Sequence, residues 1–309
     1  MRAIFMGTPP FALPILRAIH QSKHKLIGVV TQPDRPKGRG RKLGASPVKE
    51  VAKRLLLPIM QPQTAKDKTF IGEVKRMSPD IIVVAAYGQI LTRELLDIPS
   101  LGCINVHASL LPKYRGVAPI QWAIVNGERK TGITIMKMDE GMDTGDILLA
   151  QEVAIGDEDT AQSLHDRLAQ TGASLIVKAM DQLDRGALHP IPQDHREASY
   201  APPLKKEDGL IDWSQDARDI FNRIRGFNPW PGAFTYLKGS RLKIFSGEIV
   251  HEEVKERAGK VVQSSSEGVK VTTGKGSLLI KEVQLEGRKR MPVHEFLIGN
   301  EISPGTQMG

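Results

Sequence analysis

The sequence predicts an α/β fold on a parallel sheet followed by a smaller all-β unit, and three observations predict it. At 309 residues the chain exceeds the usual size of one domain, so two cores are expected rather than one. Through its first half, short apolar strand-like runs alternate with helical periods, the pattern of a sheet covered on both faces. Beyond residue 204, strand-like runs are instead separated by Gly-containing turns, at the spacing of a small barrel. We therefore expect a Rossmann-like parallel-sheet domain over residues 1–188, a linker over 189–205 and an OB-like β-barrel domain over 206–309.

Each element has its own signal. Residues 3–6 read as a first strand, 11–19 carry helical apolar spacing and 26–30 form a buried-strand run, which together make a βαβ start. Residues 48–57 read as a helix after the breaker Ser46-Pro47, and 70–77 as another. A central strand is expected over 80–86 and the next over 103–106. Residues 132–138 and 147–153 form a strand pair across a polar Gly/Asp-rich turn, and a long helix over about 160–183 opens on a Thr or Asp cap. Residues 186–203 are polar, Pro-rich and aperiodic, the character of an interdomain linker. Ser214 is expected to cap a helix running to about Arg225, with strands following over 233–237, 242–250, 260–262, 269–272 and 278–283.

Composition narrows the function. The single cysteine, Cys103, excludes an internal disulfide framework and any multi-cysteine zinc site. No apolar run approaches the roughly 20 residues that span a bilayer. The first residues also lack a signal-peptide design, so a cytoplasmic protein without membrane contact is expected. The net charge of +8 is concentrated early, with 16 Lys/Arg against 5 Asp/Glu in residues 1–80. That clustering suits a polyanionic partner, although taken alone a solvated basic face is the commoner explanation.

The turn Met6-Gly7-Thr8-Pro9-Pro10 follows the first strand but lacks G-x-G-x-x-G, and its prolines remove backbone donors, which argues against a nucleotide cofactor. Signatures of P-loop hydrolysis, zinc proteolysis and the hydrolase elbow are likewise absent from the chain. Asn105 and His107 stand two apart where a buried strand ends. If the extended conformation persists, both point to one side at the carboxyl end, where open sheets place ligands; satisfying backbone groups there is the plainer alternative. Cys103 shares their parity but has no local base, so a packed core thiol is expected. The turn over 138–146 holds four acids, Asp139, Glu140, Asp143 and Asp146, without the spacing of a calcium loop, and no metal is expected.

Taken together, NVHASLLPKYRG over 105–116 and MDEGMDTGDI over 138–147 resemble the paired signature of the folate-dependent formyltransferases. The resemblance implies a catalytic set of Asn105, His107 and Asp143, with 10-formyltetrahydrofolate as the formyl donor. It places Ser109, Leu110, Leu111 and Pro112 beside the folate, and has Tyr87, Gly88 and Gln89 line the pterin pocket. Attack of an amine on a formamide carbon makes a tetrahedral oxyanion, which the Asn105 amide and a His107 N–H can stabilise.

Between Thr31 and Leu43 lies a loop with five basic residues in the eight positions 35–42. It resembles the acceptor-stem loop of those family members that formylate methionyl initiator tRNA. On that resemblance Arg39 discriminates the initiator's unpaired end, while Arg35, Lys37, Arg41 and Lys42 hold phosphates. IDWS over 211–214 and FNPWPGAFT over 227–235 resemble the family's C-terminal barrel, where Arg288, Lys289 and Arg290 are available to a phosphate backbone. The implied activity is formylation of methionyl initiator tRNA for translation initiation, by a monomer. Two rivals remain: a small-molecule formyltransferase or hydrolase, and a tRNA-binding protein without catalysis. Pro10 and Pro203 depart from the residues usual at those places.

Overall fold

The computed structural model describes residues 1–37, 42–252 and 256–309. The chain divides into two compact units: Met1–Pro119 with Lys130–Ala154 and His165–Ala201, and Ile120–Arg129 with Ile155–Leu164 and Pro202–Gly309.

The chain begins β1 (Arg2–Gly7), α1 (Ala12–Gln21), β2 (Lys25–Val30), β3 (Arg35–Lys37), β4 (Lys42–Gly44), α2 (Pro47–Arg54) and β5 (Ile59–Met60). It continues through α3 (Lys68–Met77), β6 (Ile81–Ala85), α4 (Arg93–Leu96), β7 (Cys103–His107), β8 (Arg115–Gly116) and α5 (Pro119–Val125). Then come β9 (Lys130–Lys137), β10 (Ile147–Ala154), α6 (Ala161–Asp184) and β11 (Tyr200–Ala201). The main sheet runs β10-β9-β7-β6-β1-β2-β5. Its five strands from β7 to β5 are parallel, and β9 and β10 are antiparallel to their neighbours. All five residues of β6 are buried, as expected of an apolar run without alternation at the centre of a covered sheet. From β1 the chain goes to β2 on one side and later returns to β6 on the other. The carboxyl ends around β1 and β6 are thus a switch point, where open sheets take ligands.

The helices follow their local signals. On α1, Ala12, Ile15, Leu16 and Ile19 are buried at spacings of three and four. Ser46 caps α2 by accepting from the Lys49 N–H, with Pro47 in the first turn. Thr160 Oγ1 accepts from the Ser163 N–H at 3.2 Å where α6 begins.

Residues 189–201, read from the sequence as a bare connection, belong to the first unit and are structured. Ile191 exchanges two backbone hydrogen bonds with Ile147, 2.8 Å each, and β11 lies parallel to β8. Pairings only one or two residues long leave no period to detect. The basic segment also differs from the expected loop, since its described flanks pair as the antiparallel hairpin β3–β4.

In the second unit α7 (Ala217–Gly226) precedes β12 (Ala233–Leu237), β13 (Ser240–Val250), β14 (Val261–Ser265), β15 (Gly268–Thr272), β16 (Ser277–Leu285), β17 (Met291–Pro292) and α8 (Val293–Gly299). The strands form one antiparallel sheet, β12-β13-β16-β15-β14, with β17 added to β16. Register shifts on β13 between Ile244 and Gly247 are bulges, which bend a strand. Its core joins Trp213, Ile220, Ile224, Leu242, Ile244 and Leu278, and the Trp213 indole N–H donates to Thr235 Oγ1 at 3.0 Å. Asp216, not Ser214, caps α7: Ser214 instead donates its hydroxyl and its N–H to Asp212, leaving the Asp216 carboxylate to accept from the Arg218 N–H.

Candidate active site

At the carboxyl end of β7, which lies between β6 and β9, Asn105 pairs with Val84 and Met136, and His107 with Thr134. The β9–β10 turn brings Asp143 to both. Asp143 Oδ1 stands 3.4 Å from Asn105 Nδ2 and 3.6 Å from His107 Nδ1, while its Oδ2 accepts from the Gly116 N–H at 2.8 Å. His107 Nε2 lies 2.9 Å from the Tyr114 carbonyl, which can only accept, so Nε2 carries a proton whether or not Nδ1 also does. The Nδ1 atom, facing the carboxylate, is the one left for chemistry.

The turn is held in an unusual conformation. Asp143 has φ +54°, in the left-handed region that is uncommon outside glycine and that Asp is among the few other residues to adopt. A β-carbon on Gly145 would fall on the Lys137 carbonyl oxygen, so only glycine fits beside it. Gly116, at φ +111°, brings its N–H to Asp143, and a β-carbon there would come within 2.8 Å of the Ala201 carbonyl oxygen. Asp139 is spent inside its own turn, accepting from the Gly141 N–H and Thr144 Oγ1. Among the described residues no group of three or more His, Cys, Asp or Glu is arranged to hold a metal ion.

Two residues to which the sequence pattern gives no role support this turn, Gln193 and, within the 105–116 motif, Arg115. The Gln193 Nε2 donates to the carbonyls of Asp143 at 2.9 Å and Gly145 at 2.7 Å. Its Oε1 accepts from the buried Arg115 guanidinium at 3.2 and 2.7 Å. An arginine inside a protein needs acceptors around it, but the sequence does not say which.

After β7, the Ser109 hydroxyl is wholly buried and donates to the Lys113 carbonyl at 2.6 Å, while Thr134 Oγ1 donates to the Ser109 carbonyl and accepts from the Leu111 N–H. Leu111 is buried, and the half-buried Leu110 and Pro112 present the surface. After β6, Tyr87 is buried, its hydroxyl has no partner among the described residues, and burial pushes its phenol up to about 12. Gln89 accepts from the Ala65 N–H at 2.6 Å and donates to the Gln63 carbonyl at 3.3 Å. Tyr87, Gln89 and Ser109 therefore shape these loops, and Ala86, Gly88 and Ile90 are exposed on them. Cys103 is a packed thiol, pushed up to about 12 by burial and by the Asp97 charge.

At the root of the basic hairpin, Arg35 donates to Gln32 Oε1 at 2.6 Å, and Gln32 Nε2 donates to the carbonyls of Tyr87 at 2.9 Å and Gly88 at 3.2 Å. Hydrogen bonds from Gln61 and from Lys49 hold the Asp34 carboxyl below its ordinary value. Arg39 and Arg41, with the side chains of Lys37 and Lys42, lie outside the described residues. In the second unit Arg288 and Lys289 are exposed between β16 and β17. Arg290 is committed elsewhere: it pairs with both Glu282 oxygens and lies 4.3 Å over the Phe245 ring.

Two family models match the chain, formyl transferase over residues 1–180 and formyl transferase, C-terminal domain, over residues 203–301. The chain is 50% identical over 309 residues to a methionyl-tRNA formyltransferase of Geobacter sulfurreducens, covering 100% of this chain and 97% of that one. To a methionyl-tRNA formyltransferase of Alkaliphilus oremlandii it is 48% identical over 309 residues, covering 100% of both. Among solved structures, WlaRD, a sugar 3N-formyl transferase crystallised in the presence of dTDP and 5-N-formyl-THF, shares the fold at a TM-score of 0.69. That match covers 94% of this chain and 99% of WlaRD, at 19% identity. The chain thus belongs to the formyl transferase family, among its methionyl-tRNA formyltransferases, and is an enzyme of formyl transfer.

Proposed function

We propose that the enzyme transfers the formyl group of 10-formyltetrahydrofolate to the α-amino group of methionyl initiator tRNA, making formylmethionyl-tRNA for translation initiation. The observation that carries this reading is the meeting of an amide donor, a ring nitrogen and a carboxylate at the end of β7, with Asp143 Oδ1 3.4 Å from Asn105 Nδ2 and 3.6 Å from His107 Nδ1. Those types suit the chemistry. As the acceptor amine bonds to the formyl carbon, its carbonyl oxygen becomes an oxyanion, to which Asn105 Nδ2 donates together with His107 Nδ1, the ring then carrying a second proton besides the one Nε2 gives to the Tyr114 carbonyl. Asp143 stabilises the proton on Nδ1 and, through water, passes the amine's proton to the folate nitrogen as its bond to the formyl carbon breaks. The scheme needs neither a covalent enzyme intermediate nor a metal.

Ala86, Gly88, Ile90, Leu110 and Pro112 present a mostly apolar surface at adjacent strand ends, which suits a flat pterin. Tyr87, Gln89, Ser109 and Leu111 keep those loops in shape. The acceptor assignment rests on the basic segment, in which Arg35, Lys37, Arg41 and Lys42 contact phosphates and Arg39 reads the initiator's end. Arg288 and Lys289 add phosphate contacts from the second unit. Full-length identity of about half to methionyl-tRNA formyltransferases supports tRNA over a small amine.

The test compares formyl transfer from 10-formyltetrahydrofolate to initiator methionyl-tRNA, elongator methionyl-tRNA and free methionine. Wild type should prefer the initiator. Asn105→Ala should lower turnover about 100- to 1000-fold, and Arg39→Ala should erode the preference for the initiator. Equal transfer to free methionine, or none to tRNA, sinks the acceptor assignment.

A further inference from the structure

We propose that Gln193, seated by the buried Arg115 guanidinium, is the positioning residue that keeps the Asp143 carboxylate aligned with Asn105 and His107. The inference rests on the reading of Asp143 as a catalytic group, and it assigns a role to a segment whose sequence reads as a linker.

The alignment has little slack. Oδ1 of Asp143 lies at the long end of hydrogen-bonding distance from Asn105 and beyond it from His107, at 3.4 and 3.6 Å, so a small rotation of the turn closes or opens both contacts. Asp143 also sits at φ +54°, a conformation that persists only where neighbours enforce it. The enforcement comes from one amide. Gln193 Nε2 donates to the carbonyls of Asp143 and Gly145, one on each side of Thr144, at 2.9 and 2.7 Å.

Arg115 makes that amide a one-way connector. A guanidinium has only donors and the turn offers only carbonyls, so the Gln193 oxygen must face Arg115 and its nitrogen must face the turn. Turning the amide over would set donors against donors and oxygen against oxygen at all four contacts. Gln193 is 6% exposed and Arg115 2%, so water cannot repair such a mismatch. Arg115 Nη2 donates in addition to His195 Nδ1 at 2.9 Å, which fixes the guanidinium plane.

The short segment Tyr114–Gly116 reaches two members of the site, His107 and Asp143, and also seats the amide that braces Asp143. The Tyr114 carbonyl accepts from His107, Arg115 seats Gln193, and the Gly116 N–H donates to Asp143 Oδ2. Ser199 and Ala201 hold that segment in place, through Tyr114 N–H to Ser199 Oγ, Arg115 N–H to the Ser199 carbonyl and Val117 N–H to the Ala201 carbonyl. Residues 193–201 thereby brace both loops that converge on Asp143.

The decisive variant is Gln193→Glu, which keeps the side-chain shape and its partnership with Arg115 but replaces both N–H donors to the turn by oxygen. We would measure kcat, KM for donor and acceptor, and melting temperature for wild type, Gln193→Glu, Asp143→Asn and the double variant. The expected result is a kcat about 10- to 100-fold lower in Gln193→Glu, as for an ångström-scale misplacement, with both KM values within about threefold. In the Asp143→Asn background the same change should alter kcat by less than about threefold, because the group being positioned is already gone. Equal losses in both backgrounds, or a Gln193→Glu enzyme with near-normal kcat beside an impaired Asp143→Asn, overturn the positioning role and leave the catalytic reading intact. A near-normal Asp143→Asn enzyme overturns the catalytic reading and the inference with it. Should Gln193→Glu not fold, Arg115→Lys, which keeps a cation but not the two-pronged seat, decides by the same pattern.

Discussion

Two glutamine–arginine pairs in the first unit use one geometry in opposite surroundings. Gln193 and Gln32 each turn their Oε1 to an arginine and their Nε2 to two loop carbonyls, of Asp143 and Gly145 in one case and of Tyr87 and Gly88 in the other. The Gln193–Arg115 pair is buried, whereas Arg35 is exposed at the root of the basic hairpin. A buried amide that loses its partner stays desolvated, while an exposed one turns to water. Burial therefore makes the first pair, the clamp on Asp143, hard to separate, while the second can exchange its partners for water.

Substitutions at the clamped group should have the largest effect. Asp143→Ala and His107→Ala are each expected to lower turnover about 100- to 1000-fold in single-turnover assays. Asp143→Ala working at near-normal rate would show that the clamp guards nothing catalytic, and His107→Ala doing so would remove His107 from the scheme. Next, Arg115→Ala leaves Gln193 Oε1 without its donor inside the protein and should cost about 1–3 kcal/mol in urea unfolding. A loss inside the noise would mean that the buried and exposed pairs are equivalent.

Arg35→Ala supplies the contrast, with an expected stability change within about 0.5 kcal/mol. If Arg35 meets a phosphate, the same variant should weaken acceptor binding and reduce its log–log salt slope by about 1. The smallest effect is expected from acid at this open root. The Asp34 carboxyl is held low by Gln61 and Lys49, so its contribution is complete above the unfolded value of 3.8 and disappears as pH falls through the lower folded value. Carboxyl NMR should find Asp34 titrating below 3.8, and Asp34→Asn should remove this step from the pH dependence of unfolding; titration at or above 3.8 would contradict the hydrogen bonds assigned to it.

Much of the architecture was legible because burial leaves a local period. Residues 81–85 lie on both faces of a covered sheet and read as an unbroken apolar run, and α1 shows its inner face as Ile15, Leu16 and Ile19. Strand β12 was expected over 233–237 and occupies those residues. Competition between equivalent caps was not legible, since Ser214 and Asp216 both suit the start of α7 and only the bond from Ser214 to Asp212 chooses between them.

At the site, chain order alone placed Asn105 and His107 two apart on one strand, and the resemblance of two motifs pointed to Asp143. Tertiary structure decided how they meet. The positive φ of Asp143, the Gly116 N–H on its carboxylate and the clamp from Gln193 join segments up to 78 residues apart. Sequence patterns record which side chains leave water along one element, and that is the limit of what this chain determined by itself. A buried amide oriented by a guanidinium has no periodicity, because its partners are chosen only when separate loops fold against one another.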